Sequence, residues 1–148
     1  VSWIVNYNTD GDFSKPPELS PEDEYRQMLD FEIWFYEGVL ETCPDYVEVL
    51  QTLAHCYTAR GYYEKGLWID LKLARLCPID PIVFYNLACS YSLISELDQA
   101  FEMLKKSIKL GYDDVQHMNS DPDLRDVRAD GRYNEVLELL AVKPADKA

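Results

Sequence analysis

The sequence contains no uncharged apolar stretch of the ~20 residues that a membrane-spanning helix needs, and it is poor in positive charge. Only 14 Lys and Arg stand against 27 Asp and Glu in 148 residues. The first absence argues against direct insertion into a membrane. The second argues against nucleic acid as a partner, because neutralising phosphates requires clustered Lys and Arg. With a formal net charge of −13, the partner to expect is a protein or peptide that is neutral or basic. Histidine is scarce as well: His55 and His117 are the only two, and neither belongs to a HExxH or His–Cys ligand pattern. No GxSxG, GxGxxG or Walker run occurs. His55 and Cys56 are sequence neighbours, but on a helix their side chains point about 100° apart. No position is therefore assigned as catalytic, cofactor-binding or metal-binding, and the expected class is a non-enzyme.

Four cysteines, Cys43, Cys56, Cys77 and Cys89, form no CxxC pair, so free and buried thiols are the expected state. No basic start followed by an apolar run is visible after Val1, which leaves the cytoplasm as the expected compartment, with the periplasm as the alternative if a leader has been removed. What the sequence does have is a core: 47% hydrophobic and 13% aromatic residues are too many for a disordered chain.

Those apolar residues are periodic. Shifting the chain against itself by 34 residues superposes residues 47–80 on 81–114: Leu50 meets Phe84, Leu53 meets Leu87, Ala54 meets Ala88, Tyr57 meets Tyr91, Gly66 meets Ala100 and Leu67 meets Phe101. Cys43-Pro44 recurs at the same interval as Cys77-Pro78. Each apolar set runs i, i+3, i+4, i+7, one face of a helix. Turn signals at Arg60-Gly61 and Ser95-Glu96 divide each block into two helices, and Pro81 stands where a first-turn proline forfeits no hydrogen bond.

A 34-residue helix–turn–helix period carrying large apolar, Leu, small, Tyr along its first helix, a small residue at the helix crossing and a closing proline resembles the tetratricopeptide repeat family. The resemblance implies an all-α fold: a right-handed α-solenoid of stacked antiparallel helix pairs, about 2.5 to 3 repeats, with capping helices at both ends. The expected division is an irregular N-terminal arm, residues 1–19, and one domain, residues 20–148. Within the latter, 20–46 is a capping half-repeat, 47–80 and 81–114 are full repeats, and 115–148 holds atypical closing helices. Ser20-Pro21-Glu22-Asp23-Glu24 starts a helix over about 21–42, with hydroxyl cap, proline and first-turn acids in place. Glu32, where the family prefers a small residue, fits a helix with no partner inside its own repeat. Asp121-Pro122-Asp123-Leu124, followed by Arg125-Asp126 and Gly131-Arg132-Tyr133, resembles the closing segment of bacterial members, so a bacterial origin is expected. In the arm, Trp3 to Tyr7 supports no helix and either packs on the domain or docks on a partner.

Two residues of the second helix depart from the family pattern. Asp70 falls at a large apolar position and Leu73 at a small one. The expected resolution is a slight rotation that lets Leu67, Leu71 and Ala74 carry the contact; otherwise Asp70 is a buried acid in need of a partner.

By the same resemblance the first helices line a concave groove. The candidate peptide-binding residues are Glu48, Gln51, His55 and Thr58, then Ile82, Tyr85, Asn86, Cys89 and Ser92, with Leu93 beside them. The set is mostly neutral and hydrogen-bonding, suited to an extended or helical peptide. Co-chaperone members hold a C-terminal carboxylate with groove Lys, Asn and Arg. No Lys or Arg lies between Val47 and Ala59 or between Pro81 and Leu93, so only Asn86 could belong to such a clamp. An adaptor or scaffold that grips a protein segment is the expected function. A small acidic chaperone of a secretion system, or a self-assembling subunit, is the alternative.

Overall fold

The structure, a computed structural model, describes residues 18–142; Trp3 to Tyr7 and most of the expected arm lie outside them. Among the described residues the fold is all-α, with eight helices packed in sequential antiparallel pairs. Helix α1 (Pro21–Thr42) starts where the sequence places it: the Ser20 hydroxyl accepts the Asp23 backbone N–H at 3.2 Å, and Glu22, Asp23 and Glu24 occupy the first turn. Helix α2 (Val47–Arg60) ends at Gly61, which adopts φ +84° so that its own N–H and that of Tyr62 bond the last carbonyls of the helix. Helix α3 (Tyr63–Leu76) returns antiparallel. Helix α4 (Pro81–Leu93) is capped by the Asp80 carboxylate, 2.9 Å from the Ile82 N–H. One repeat beyond Gly61, Ser95 takes the same left-handed turn at φ +65°, and helix α5 (Leu97–Leu110) follows.

The small residues at the crossings act as expected. A Cβ on Gly66 would stand 3.2 Å from Thr58 Oγ1 and 3.8 Å from the Ala54 carbonyl, so α2 and α3 approach closely there. Ala100, its counterpart between α4 and α5, is fully buried. Two apolar clusters result, one joining α1, α2 and α3 through Leu29, Ile33, Leu50, Leu53, Ile69 and Leu73, the other centred on Ala88, Phe101 and Leu104 of α4 and α5. Helix α4 links them, giving Val83 to the first and Tyr85 to the second.

Beyond Gly111 the chain folds back. Helix α6 (Val115–Ser120), a 3-10 turn (Pro122–Leu124), α7 (Arg125–Ala129) and α8 (Tyr133–Ala141) bring Met118, Leu124, Val127 and Val136, all fully buried, onto the exposed sides of α4 and α5. No helix among the described residues is long and apolar enough to cross a membrane.

Two expectations are corrected. Helix α3 does not rotate: Ile69, Asp70 and Leu73 face inward, while Leu71 is exposed and Leu67 and Ala74 are half-buried. Turning Asp70 outward would take Ile69 and Leu73 out of the core, and burying two large apolar groups outweighs the cost of one hydrogen-bonded carboxyl. All four thiols are free, but only Cys56 and Cys89 are buried; Cys43 is exposed and Cys77 half-buried, because both end helices at the surface.

Helix α1 is apolar on two faces. Leu29 and Ile33 pack inward, whereas Tyr25, Met28, Phe31, Trp34 and Phe35 form an outward stripe on which Trp34 is 68% exposed.

Candidate functional site

The inner sides of α2 and α4, residues of α3 and the returning segment after Gly111 line a half-open cavity of ≈ 150 Å³. Six of the sequence-derived groove residues line it: Gln51, His55 and Thr58 from α2, and Tyr85, Asn86 and Cys89 from α4, with Leu93 beside them. Glu48 and Ile82 are exposed but stand outside it. Ser92 also lies outside; it is buried, and its Oγ has no hydrogen-bond partner among the described residues.

The other lining residues were not visible as site residues in the sequence. Asp70, Leu73 and Ser90 come from the inner faces of α3 and α4, and His117, Asp121 and Asp123 from the closing segment. Asp121 organises this wall. Its Oδ2 accepts the Tyr85 hydroxyl at 2.7 Å and the Cys89 thiol at 3.7 Å, and lies 3.4 Å from His117 Nε2. Its Oδ1 accepts the Asp123 N–H at 2.9 Å and so starts the 3-10 turn. Arg128 donates to the carbonyls of Met118 and Asp121, holding the turn from behind. The Tyr85 ring stacks on Tyr112 at 4.4 Å and tilts toward His117 at 5.5 Å.

Electrostatically the cavity is negative. Asp70 is 4% exposed, and its Oδ2 accepts the Ser90 hydroxyl at 2.6 Å. Burial pushes its carboxyl up to about 6, with the Ser90 hydrogen bond pulling the other way. Asp123 is pushed up by burial and by Asp121, and drawn down by His55. Burial lifts the Tyr85 hydroxyl and Cys89 thiol far above their ordinary values, with Asp121 adding to both, so both stay protonated donors. On the far side of α2, burial and Glu32 push the Cys56 thiol up to about 11; it donates to Glu32 Oε2 at 3.5 Å. No group of three His, Cys, Asp or Glu among the described residues is placed to hold a metal ion. The cavity offers amides, one aromatic face, two imidazoles and three carboxylates, an arrangement able to hydrogen-bond a polypeptide and attract positive charge.

Comparison with known proteins yields two distant, partial likenesses to tetratricopeptide-repeat proteins. The chain is 32% identical over 57 residues, 38% of its length, to a chloroplastic protein of Arabidopsis thaliana. It is 36% identical over 86 residues, 56% of its length, to the CTR9 homolog of the same plant. No family model matches the chain. The chain spans 17% and 8% of the lengths of these two relatives, so the likeness extends to a small part of each and not to either whole protein. Both relatives are plant proteins and lend no support to a bacterial origin.

Proposed function

We propose that this chain is a protein-interaction module that grips a segment of another polypeptide in the groove between the inner faces of α2 and α4, as an adaptor or scaffold does. The observation that carries the reading is convergence: Gln51, His55, Thr58, Tyr85, Asn86 and Cys89, six of the nine positions that the family resemblance marks as groove-facing, line one cavity. Stacked repeats present such surfaces because each helix pair is held by its neighbours, which leaves the inner side chains free of structural duty. Gln51 and Asn86 meet that description, being exposed and without hydrogen bonds to other side chains among the described residues. Tyr85 and Cys89 are committed to Asp121 and shape the wall instead. The test uses dodecapeptides selected from a random display library on the full chain. Gln51→Ala combined with Asn86→Ala weakens their binding while leaving the circular-dichroism melt nearly unmoved. Equal affinity in the double variant contradicts the groove.

The uncovered stripe on α1 favours a second reading, self-assembly through that helix. Five large apolar side chains exposed over one half of the helix surface form a patch of the kind that protein contacts cover. Sedimentation of the chain and of its Trp34→Glu variant decides: a larger species lost on substitution supports assembly, and one monomeric mass for both ends it.

A further inference from the structure

Asp70, Asp121 and Asp123 all line the groove cavity, yet no Lys or Arg does. Ion pairs elsewhere in the molecule are numerous, and among the described residues none reaches Asp70 or Asp123; Asp121 meets only the imidazole of His117. Asp70 is the informative member. It is almost wholly buried, and a single hydroxyl is its hydrogen-bond partner among the described residues, although a carboxylate has two oxygens and about four acceptor positions. A buried carboxylate of this kind is ordinarily paired with a cation. Asp70 lines the cavity, and among the described residues no cation pairs with it. The volume of ≈ 150 Å³ holds several waters, enough for the head of one long side chain. Ala54, Leu73 and Leu93 supply the apolar part of the lining, which suits an aliphatic stem.

We infer that the cavity is a specificity pocket for one basic side chain, Lys or Arg, of the segment bound in the groove, with Asp70 and Asp123 receiving the charge and Asp121 holding the wall they stand on. The inference rests on the groove reading and deepens it. Bringing a cation into the cavity gives Asp70 the counter-charge that the fold withholds, and the desolvated setting makes the charge-assisted hydrogen bonds stronger than they would be on an open surface.

The experiment selects random dodecapeptides on the full chain and measures their binding to three proteins: the parent, the Asp70→Asn, Asp123→Asn variant, and the Gln51→Ala, Asn86→Ala variant. All three are checked for an unchanged helical spectrum. The selected peptides share a Lys or Arg at one position. Replacing it with norleucine or citrulline weakens binding to the parent by about tenfold or more, since a hydrogen bond to a charged group contributes ~1.5–3 kcal/mol and 1.4 kcal/mol is a factor of ten. The same replacement changes binding to the Asp70→Asn, Asp123→Asn variant by less than about twofold. Peptides without a common basic residue, or an equal loss in parent and variant, overturn the pocket while leaving the groove intact. Indifference of binding to the Gln51→Ala, Asn86→Ala pair, or failure to select any peptide, overturns the groove and the pocket together. Agmatine, titrated alone, separates the remaining source of the same chemistry: affinity matching the peptide's assigns the cavity to a small free amine and overturns the polypeptide assignment.

Discussion

Asp70 is the residue at which local pattern and tertiary structure disagree most. Its carboxyl, pushed up to about 6 by burial, keeps its proton in the folded chain over a range where the unfolded carboxyl has lost it. The native state then binds more protons than the unfolded one, so stability falls as pH rises from ~4 through ~6, by up to about 3 kcal/mol at 1.36 kcal/mol per pKa unit. Denaturant unfolding of the parent and of Asp70→Asn is expected to coincide near pH 4 and to separate above pH 6, the variant becoming the more stable. Parallel curves across that range would mean that the carboxyl is better solvated than its burial indicates. Asp121 holds structure together through hydrogen bonds: it is the acceptor for Tyr85, Cys89 and the Asp123 N–H at once. Asp121→Ala strands two buried donors and uncaps the 3-10 turn, and about 2 to 3 kcal/mol of stability goes with it. Thermal unfolding measures that loss, and a variant within 0.5 kcal/mol of the parent, the ordinary size of a surface change, would mean that this hydrogen-bond network is not structural.

At the scale of helices, the 34-residue repeat made α2 to α5 legible because every quantity that places them is local or repeats locally. Apolar spacing gave the buried faces, Pro81 and Gly61 gave the ends, and Gly66 and Ala100 gave the crossings. The groove positions of α2 and α4 came from the family resemblance laid over that register. What register could not supply is what another segment adds. Tyr85 and Asp121 are 36 residues apart, and no helical period relates them, so the two carboxylates that the closing segment adds to the cavity wall, Asp121 and Asp123, went unseen. The inward turn of Asp70, left by the sequence as the alternative to a rotated helix, is decided by packing: Ile69 and Leu73 pull that face into the core. The crossings carry their own test. Ala100 is fully buried against α4, so Ala100→Leu overpacks the α4/α5 contact and costs roughly 1 to 3 kcal/mol. A melt at or above the parent's would show slack at that crossing.

Over the whole molecule, a net charge of −13 in 148 residues places like charges in mutual repulsion in the compact state. Salt shortens the reach of that repulsion to about 8 Å at physiological ionic strength. Raising NaCl from 10 to 150 mM is therefore expected to increase the melting temperature and, by the same screening, to weaken the capture of basic peptides. Salt that left both unchanged would remove electrostatics from the account. The pairs Arg60–Asp30 at 2.7 Å, between α1 and α2, and Lys105–Glu135 at 2.9 Å, between α5 and α8, oppose this trend only slightly, since exposed pairs contribute little.

The proposed role turns on where a bound polypeptide lies, and amide hydrogen exchange of the full chain with and without a selected dodecapeptide reads that directly. Added protection is expected to concentrate in residues 51–58 of α2, 82–93 of α4 and 117–124 of the closing segment, with α1 and α8 unchanged. Protection confined to α1, or spread evenly over all helices, would contradict it.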